Sequence, residues 1–327
     1  MTDVATTTGE LLVVATEGNA LETLDLSTLE RTRSVALKPM PHEAAVDLAA
    51  NRAYVAISYE DGYYNAYEKA SHYVQVVDLD TFEVVETIDV SPHWGPHGVA
   101  LDQSRFTLYV TCESNGGEVI AVDTGTSQVT GSVGVRAHGP HWMTLLPDDS
   151  KIYTANKEDE FVTVVDVESM SVTGTISTPH GTEQIASAPD SSRVYVTSQR
   201  SPHLYVIDTA TDAVERVLEL EEASGAIAVT PDGSKVVFTS FNFTYWEDAP
   251  QLTQGYVQVL HTDGMTLGPR IPVGRFPLNV TTSLGGELAY VSNYKDHTIS
   301  VVDLERMVVV DTASTGDGPH GLVVLPR

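Results

Sequence analysis

Residues 98–133 read GVALDQSRFTLYVTCESNGGEVIAVDTGTSQVTGSV, and they set the expectation for the rest of the chain. The stretch contains four short runs rich in β-branched residues, at residues 98–101, 107–111, 118–122 and 129–133. Turn-forming residues such as Gly, Ser, Asn and Asp separate the runs, as they do in antiparallel strands. No gap between the runs has room for a packed helix. We therefore expect a four-stranded unit here.

The same unit recurs along the whole chain. A Tyr-Val-Thr-like run is followed each time by a Val-Val-Asp-like run, whose last residues are Asp25, Asp78, Asp123, Asp166, Asp208, His261 and Asp303. The steps between these residues are 53, 45, 43, 42, 53 and 42, which indicates a repeat of 42–45 residues with two enlarged units. Four strands at this period are typical of a β-propeller blade.

The order of the strands predicts an all-β, seven-bladed β-propeller in a single domain spanning residues 1–327. The chain begins with three strands and ends with one, and these together complete the closing blade. Closure of the ring removes exposed sheet edges. The predicted blades occupy residues 10–37 with 319–327, then 41–90, 96–135, 140–177, 182–220, 224–273 and 277–314.

The repeats resemble those of a known family. Tyr109-Val110-Thr111, Tyr195-Val196-Thr197 and Tyr290-Val291-Ser292-Asn293, with the turn Pro231-Asp232-Gly233, are similar to the YVTN family of seven-bladed propellers. The resemblance covers nearly all of the chain and implies the fold. It leaves function open, because that family includes both binding proteins and enzymes.

Composition and charge exclude several classes of protein. With 45 acidic and 18 basic residues the formal net charge is -27, so nucleic acid and anionic membrane surfaces are repelled. No apolar run approaches the roughly 18 residues of a membrane span. The first residues lack the basic segment of a secretory signal, so we expect a cytoplasmic protein that binds neither nucleic acid nor membrane. The single cysteine, Cys112, excludes internal disulfides and cysteine-based zinc clusters.

Histidines recur at one position of the repeat. At the start of the first strand of successive blades, the equivalent residues are His320, His42, His97, His141, Glu183, Gly225 and Leu278. The first strands of a propeller line its central channel, so these side chains should converge at the top mouth of that channel. Several neutral imidazoles suit Fe, Cu, Zn or Mn, and we expect Fe or Cu held by His42, His97, His141 and His320.

The remaining positions of this ring carry separate expectations. Glu183 either completes the metal shell or accepts an N–H from a ligand histidine, and we favour the second role because four imidazoles already suffice. Gly225 and Leu278 should leave the opposite side of the ring open, as a catalytic metal requires. Inherited turn chemistry is the alternative explanation for any single histidine, because propeller repeats duplicate residues.

Other residues that map to the top face are candidates for catalysis and substrate binding. The candidate acids and bases are His93, His138, His180 and Glu183. Aromatic insertions in blades 2 and 6 are candidate walls of a substrate pocket, through Tyr59, Tyr63, Tyr64, Phe241, Tyr245 and Trp246. Arg200, with other basic residues on this face, favours an anionic small molecule as one option for the substrate.

These features favour a metal-dependent enzyme that oxidises or oxygenates a small organic molecule. The four-histidine arrangement is similar, in architecture alone, to that of the seven-bladed carotenoid oxygenases. The repeats Gly95-Pro96-His97-Gly98 and Gly318-Pro319-His320-Gly321 resemble virginiamycin B lyase, which implies a metal-assisted lyase as the alternative. A non-catalytic propeller that binds a metal or a protein is the third reading. The sequence leaves the oligomeric state open.

Overall fold

The computed structural model describes residues 9–60, 69–179, 181–241 and 254–326. These residues form 29 β-strands in seven antiparallel sheets, and they contain no α-helix. The protein is therefore an all-β, seven-bladed propeller, and the fold prediction is confirmed. Within the described part of the chain, no helix is long and apolar enough to cross a membrane.

The strands of each blade are lettered A to D from the channel outward. Blade 1 contains β29 (Pro319–Leu325), β1 (Glu10–Ala15), β2 (Ala20–Asp25) and β3 (Arg31–Ala36). Blade 2 contains β4 (Pro41–Asp47), β5 (Arg52–Tyr59), β6 (Ala70–Asp78) and β7 (Glu83–Asp89). Blade 3 contains β8 (Pro96–Asp102), β9 (Thr107–Cys112), β10 (Glu118–Asp123) and β11 (Gln128–Gly134). Blade 4 contains β12 (Pro140–Leu145), β13 (Lys151–Asn156), β14 (Phe161–Asp166) and β15 (Ser171–Ser177).

The last three blades follow the same order, with strand D of blade 6 divided in two. Blade 5 contains β16 (Ile185–Ser187), β17 (Arg193–Thr197), β18 (His203–Asp208) and β19 (Ala213–Glu219). Blade 6 contains β20 (Ser224–Val229), β21 (Lys235–Ser240), β22 (Gln254–His261), β23 (Thr266–Leu267) and β24 (Ile271–Arg275). Blade 7 contains β25 (Pro277–Thr282), β26 (Leu288–Asn293), β27 (Thr298–Asp303) and β28 (Val308–Ser314).

The ring closes through blade 1, whose A strand comes from the C-terminal end of the chain. β29 pairs antiparallel with β1, with Leu325 opposite Glu10 and Pro319 opposite Ala15. The seven A strands contact one another in a closed cycle, in the order β29, β4, β8, β12, β16, β20, β25 and back to β29. Each A strand pairs only with strand B of its own sheet, so its other edge borders the channel.

The hydrophobic core lies between neighbouring blades. Tyr109 of blade 3 packs in one cluster with Ile152 and Val165 of blade 4. Inner strands such as β9 are buried at nearly every residue, because a neighbouring blade covers each face. Outer strands such as β11 alternate between exposed and partly buried residues, because one face meets solvent. The core therefore holds the blades in place around the channel.

Candidate metal centre

A shared backbone motif presents the four histidines. A residue with a positive φ precedes the proline that begins strand A, and these residues are Met40 (55°), Gly95 (72°), Gly139 (61°) and Gly318 (63°). Next to that proline the pairing of strand A with strand B slips by one residue in each of these four blades. Such β-bulges re-aim side chains and are common beside active sites. The sequence Gly-Pro-His, or Met-Pro-His in blade 2, is thus associated with a turn, the start of strand A and a bulge beside the histidine.

The four imidazoles lie together and are buried. The exposed fraction is 5% for His42, 2% for His97 and 6% for both His141 and His320. The ring centroids are 4.8 Å apart for His42 and His97. They are 4.2 Å apart for His97 and His141, and 5.1 Å apart for His42 and His320. Side chains from four consecutive blades therefore meet in the channel.

Hydrogen bonds hold three of these rings through their Nδ1 atoms. His42 Nδ1 donates to the main-chain oxygen of Met40 at 2.9 Å, and His141 Nδ1 donates to that of Glu183 at 3.2 Å. His320 Nδ1 lies 2.6 Å from a carboxylate oxygen of Glu43. A carbonyl oxygen can only accept, so Nδ1 carries the proton in His42 and His141, and Nε2 keeps its lone pair. Contacts of this kind orient the histidines of metal sites.

Burial keeps the imidazoles neutral. Loss of contact with water lowers the pKa of His42 and of His320 to about 3. The same cause holds the pKa values of His97 and His141 well below the usual range. A metal binds the neutral form of imidazole, so the four rings are in their ligating form at neutral pH.

Two buried glutamates that were not among the predicted site residues lie beside the four histidines. Glu43 follows His42, and its carboxylate accepts from Asn279 Nδ2 at 3.2 Å as well as contacting His320. Glu113 accepts from the Tyr59 hydroxyl at 2.5 Å. Burial raises the pKa of Glu113 to about 7 and holds that of Glu43 well above its usual range. One carboxyl group therefore contacts His320, and the other lies near His97 and His141.

Among the described residues, three form a group that could hold a metal ion. His97, Glu113 and His141 each offer one ligand atom, and these atoms lie within 4.8 Å of one another. Three buried atoms at this place have no hydrogen-bond partner: His97 Nδ1, Glu113 Oε1 and Glu183 Oε2. Buried polar atoms are almost always paired, so such a cluster marks a place where an ion or water binds. His97, Glu113 and His141 therefore fit a metal, whereas His42 and His320, the other two predicted ligands, lie outside this group.

A second ring of equivalent positions explains why Glu113 reaches the histidines. At the end of strand B the aligned residues are Thr16, Ser58, Glu113, Lys157, Gln199, Phe241 and Tyr294. The main-chain N–H of Glu113 donates to the oxygen of Gly95 at 2.9 Å, and that of Lys157 donates to Gly139 at 3.0 Å. These bonds tie the end of strand B to the start of strand A. An alignment of the blades at this position would have identified Glu113 and Lys157.

The side of the ring formed by blades 6 and 7 is closed, and the expectation of an open side was wrong. A Cβ atom on Gly225 would lie only 2.8 Å from Phe241 Cε1, so the Phe241 ring fills the space that Gly225 leaves. Phe241 packs edge-on against Phe276 at 5.0 Å, in a buried cluster that includes Tyr294 and contacts Leu278. Phe241 is thus a packing residue at the channel rather than an exposed pocket wall.

Two further expectations need correction. Glu183 holds His141 through its main-chain oxygen, whereas its carboxylate lies 3.6 Å from Lys157 Nζ and 3.9 Å from His141 Nδ1. Glu43, not Glu183, gives its carboxylate to a histidine of the ring. Tyr59 is 1% exposed, and its ring lies 5.6 Å from that of His42, so it packs against the site instead of lining an open loop.

The remaining candidates lie apart from the ring or outside the described residues. His93 Nδ1 pairs with Glu118, and His138 is 81% exposed and lies 3.7 Å from Asp159. Arg200 pairs with Glu158 at 2.5 Å, so its charge is balanced by a carboxylate. The residues that lie outside the described part of the chain are Tyr63, Tyr64, His180, Tyr245 and Trp246.

Comparisons with known proteins agree on the fold. No family model matches the chain, and no curated protein matches it. A solved structure of Kuenenia stuttgartiensis hydrazine synthase is similar with a TM-score of 0.74 and 18% identity, over 88% of this chain and 95% of that one. A functionally unknown protein from Desulfotomaculum acetoxidans DSM 771 has a TM-score of 0.78 and 11% identity, over 98% and 100%. Likeness at these identities shows the fold alone.

Proposed function

We propose that this protein is a metal-dependent enzyme that oxidises or oxygenates a small organic molecule. His42, His97, His141 and His320 would hold one Fe or Cu ion in the channel. The observation that carries this proposal is the meeting of four buried, neutral imidazoles, three of them oriented through Nδ1. Imidazole nitrogen suits both metals, and Zn or Mn are the alternatives.

The charges around the ring favour a divalent ion. Glu43, Glu113 and Glu183 carry three negative charges when ionised, and Lys157 carries one positive charge, which leaves a net charge of -2. Burial without a balancing cation disfavours the ionised carboxyl groups, which agrees with the raised pKa values of all three glutamates. A dication would neutralise the group as a whole.

The protein's own residues would have distinct parts in such a reaction. A bound ion supplies a Lewis-acid or redox centre. The Tyr59 hydroxyl donates to the Glu113 carboxylate, and Glu113 belongs to the same group of ligand atoms as His97, so this carboxyl would give a proton to a substrate or take one from it. The cluster of Phe241, Phe276 and Tyr294 excludes water from the opposite side. Glu43 and Asn279 fix the orientation of His320.

A metal-assisted lyase is the second candidate function, and Glu113 is the observation that favours it. Lyase chemistry needs an acid or base beside the metal. Glu113 belongs to the same group of ligand atoms as His97 and His141, so its carboxyl is in place for such a role. His93 and His138 contact carboxylates elsewhere and are weaker candidates.

The metal requirement of turnover tests the proposal against this alternative. Metal-free protein, purified without a histidine tag, would be loaded in turn with Fe(II), Cu(II), Zn(II) and Mn(II). We expect oxygen uptake with a panel of small organic molecules for the Fe or Cu form and none for the Zn form. Turnover with Zn and no oxygen uptake would favour the lyase. Failure to bind any of these ions would refute both and favour a non-catalytic propeller.

Replacing Glu43 by leucine should weaken metal binding by about 10- to 100-fold, the usual cost of losing a group that orients a ligand histidine. The leucine removes the acceptor for His320 Nδ1 but leaves all four imidazoles in place. The measurement is competition for the ion with a chelator of known affinity. Glu22→Gln is the control, because Glu22 is equally buried but pairs with Arg31 in blade 1. Equal affinity of the two variants would contradict the role given to Glu43.

A further inference from the structure

The seven A strands differ in burial along their length. In β4 and β8 the first three residues are buried, whereas residues 44–46 and 99–101 are partly exposed. The same change occurs in β16, β20 and β29, where residues 186–187, 228–229 and 323–324 are partly exposed. Because these strands border the channel, solvent reaches its lower part, whereas the level of the histidines is buried.

The partly exposed residues of the A strands carry no charge. Every partly exposed residue of the seven A strands is uncharged, and most are Ala, Val, Leu, Thr or Ser. This lining contrasts with the net charge of -27 on the whole chain. An ion that leaves water for an uncharged lining loses hydration energy that the lining does not replace, whereas a neutral molecule avoids that cost.

The opposite end of the ring is covered. Tyr59, Glu113, Lys157, Phe241 and Tyr294 stand at or next to the ends of B strands, and each is at most 9% exposed. The main-chain bonds of Glu113 and Lys157 to the residues before strand A fix this cover in place. Among the described residues, the side of the histidine ring that is open to solvent is therefore the side that faces the lower channel.

We propose that the lower channel is the route by which a small, uncharged molecule reaches the histidine ring from the bottom face. The proposal rests on the function proposed above for the identity of the ring as a reaction site, and it adds the class of ligand. Dioxygen and short neutral organic molecules belong to this class. Arg200 does not favour an anionic substrate, because Glu158 already balances the positive charge of its side chain.

Trp142 is a reporter beside the ring. It follows His141, its ring centroid lies 6.2 Å from that of His97, and it is partly exposed. The chain has three tryptophans, so replacing Trp94 and Trp246 by phenylalanine leaves Trp142 as the only source of tryptophan fluorescence. In the metal-free protein we expect acrylamide, which is small and uncharged, to quench this fluorescence. Caesium and iodide ions should quench it far less.

Bulk added to the lower channel should block the quencher. Ser187→Phe should lower the rate constant for acrylamide quenching at least about tenfold, a barrier of about 1.4 kcal/mol. Ser187→Ala is the matched control, because it removes only the hydroxyl that accepts from Thr144 Oγ1 at 3.0 Å. Ala45→Phe adds the same bulk in blade 2, and thermal melting shows which variants are folded.

Two results would overturn the route. One is unchanged acrylamide quenching in a folded Ser187→Phe or Ala45→Phe protein, which would mean that access is from the other face. The other is equal quenching of Trp142 by acrylamide and by the ions. The measurement uses metal-free protein, so a failure of the proposed metal binding would leave its outcome unaffected, and the two failures are distinguishable.

Discussion

A variant in which His97 and His141 are both replaced by alanine should contain no stoichiometric metal and yet fold as the unaltered protein does. These two residues are the nearest pair among the four histidines, with centroids 4.2 Å apart, and they belong to the group that could hold the ion. The two imidazoles that remain, His42 and His320, lie outside the group of ligand atoms that converge within 4.8 Å, so the variant keeps only Glu113 of that group. Folding should persist because the hydrophobic core lies between the blades. Elemental analysis and a thermal melting curve are the measurements.

His261→Ala is the internal control for this experiment. His261 ends strand β22 opposite Lys235, where other blades carry an aspartate, and it takes no part in the ring. Its replacement should leave the metal content unchanged. If the double variant retained one metal per chain while the fold was intact, the ring could not be the metal site, and the non-catalytic reading would become the better one.

Deleting residues 319–327 should abolish cooperative folding. The deletion removes β29, so β1 loses its inner partner and the ring opens between blades 7 and 2. It also removes the buried side chains of Leu322 and Leu325 from two separate interblade clusters. Each such side chain contributes about 1.5–3 kcal/mol by burial, against a typical total stability of about 5–15 kcal/mol. The exposed edges should also promote aggregation.

The truncated chain would be compared with one that ends after Leu325, which keeps the whole of β29. The second protein should remain soluble and melt in a single transition close to that of the full chain. The measurements are solubility, circular dichroism and melting temperature. A soluble nine-residue deletion with an unchanged melting temperature would show that β29 does not close the ring.

Much of the fold could be predicted from the sequence because each blade repeats the same local chemistry. The β-branched runs and the turn residues between them predict short strands. The spacing of the residues that end the C strands gives the length of the repeat, and a repeat of that length holds four such strands. Closure followed from the surplus strands at the two ends, and β29 pairs with β1. The division of the last strand of blade 6 into β23 and β24 had no comparable signal.

The site was less predictable, because side-chain direction depends on the bulges. Alignment of the repeats brought His42, His97, His141 and His320 to one level, and their rings are in contact in the structure. A bulge beside the histidine admits the following residue to the channel as well, which is how Glu43 reaches His320. A period of two along a regular strand would have placed that carboxylate on the opposite face.

The other differences between the expected and the observed site come from packing between residues that are distant in the sequence. The position of Gly225 suggested an empty place in the ring, but Phe241 enters it from the end of strand B of the same blade. The contact depends on the rotamer of one aromatic side chain, for which the repeat pattern carries no signal. Glu113 lies sixteen residues after His97 and meets it only because strand B returns to the start of strand A.

X-ray absorption on the protein loaded with one equivalent of Fe or Cu tests the central claim most directly. We expect a first coordination shell at about 2.0–2.1 Å that is dominated by nitrogen, with the multiple-scattering pattern of three or four imidazoles. The His97 and His141 double variant should lose that pattern. A shell of oxygen ligands without imidazole scattering in the unaltered protein, or a spectrum unchanged by the double substitution, would contradict a metal centre in the histidine ring.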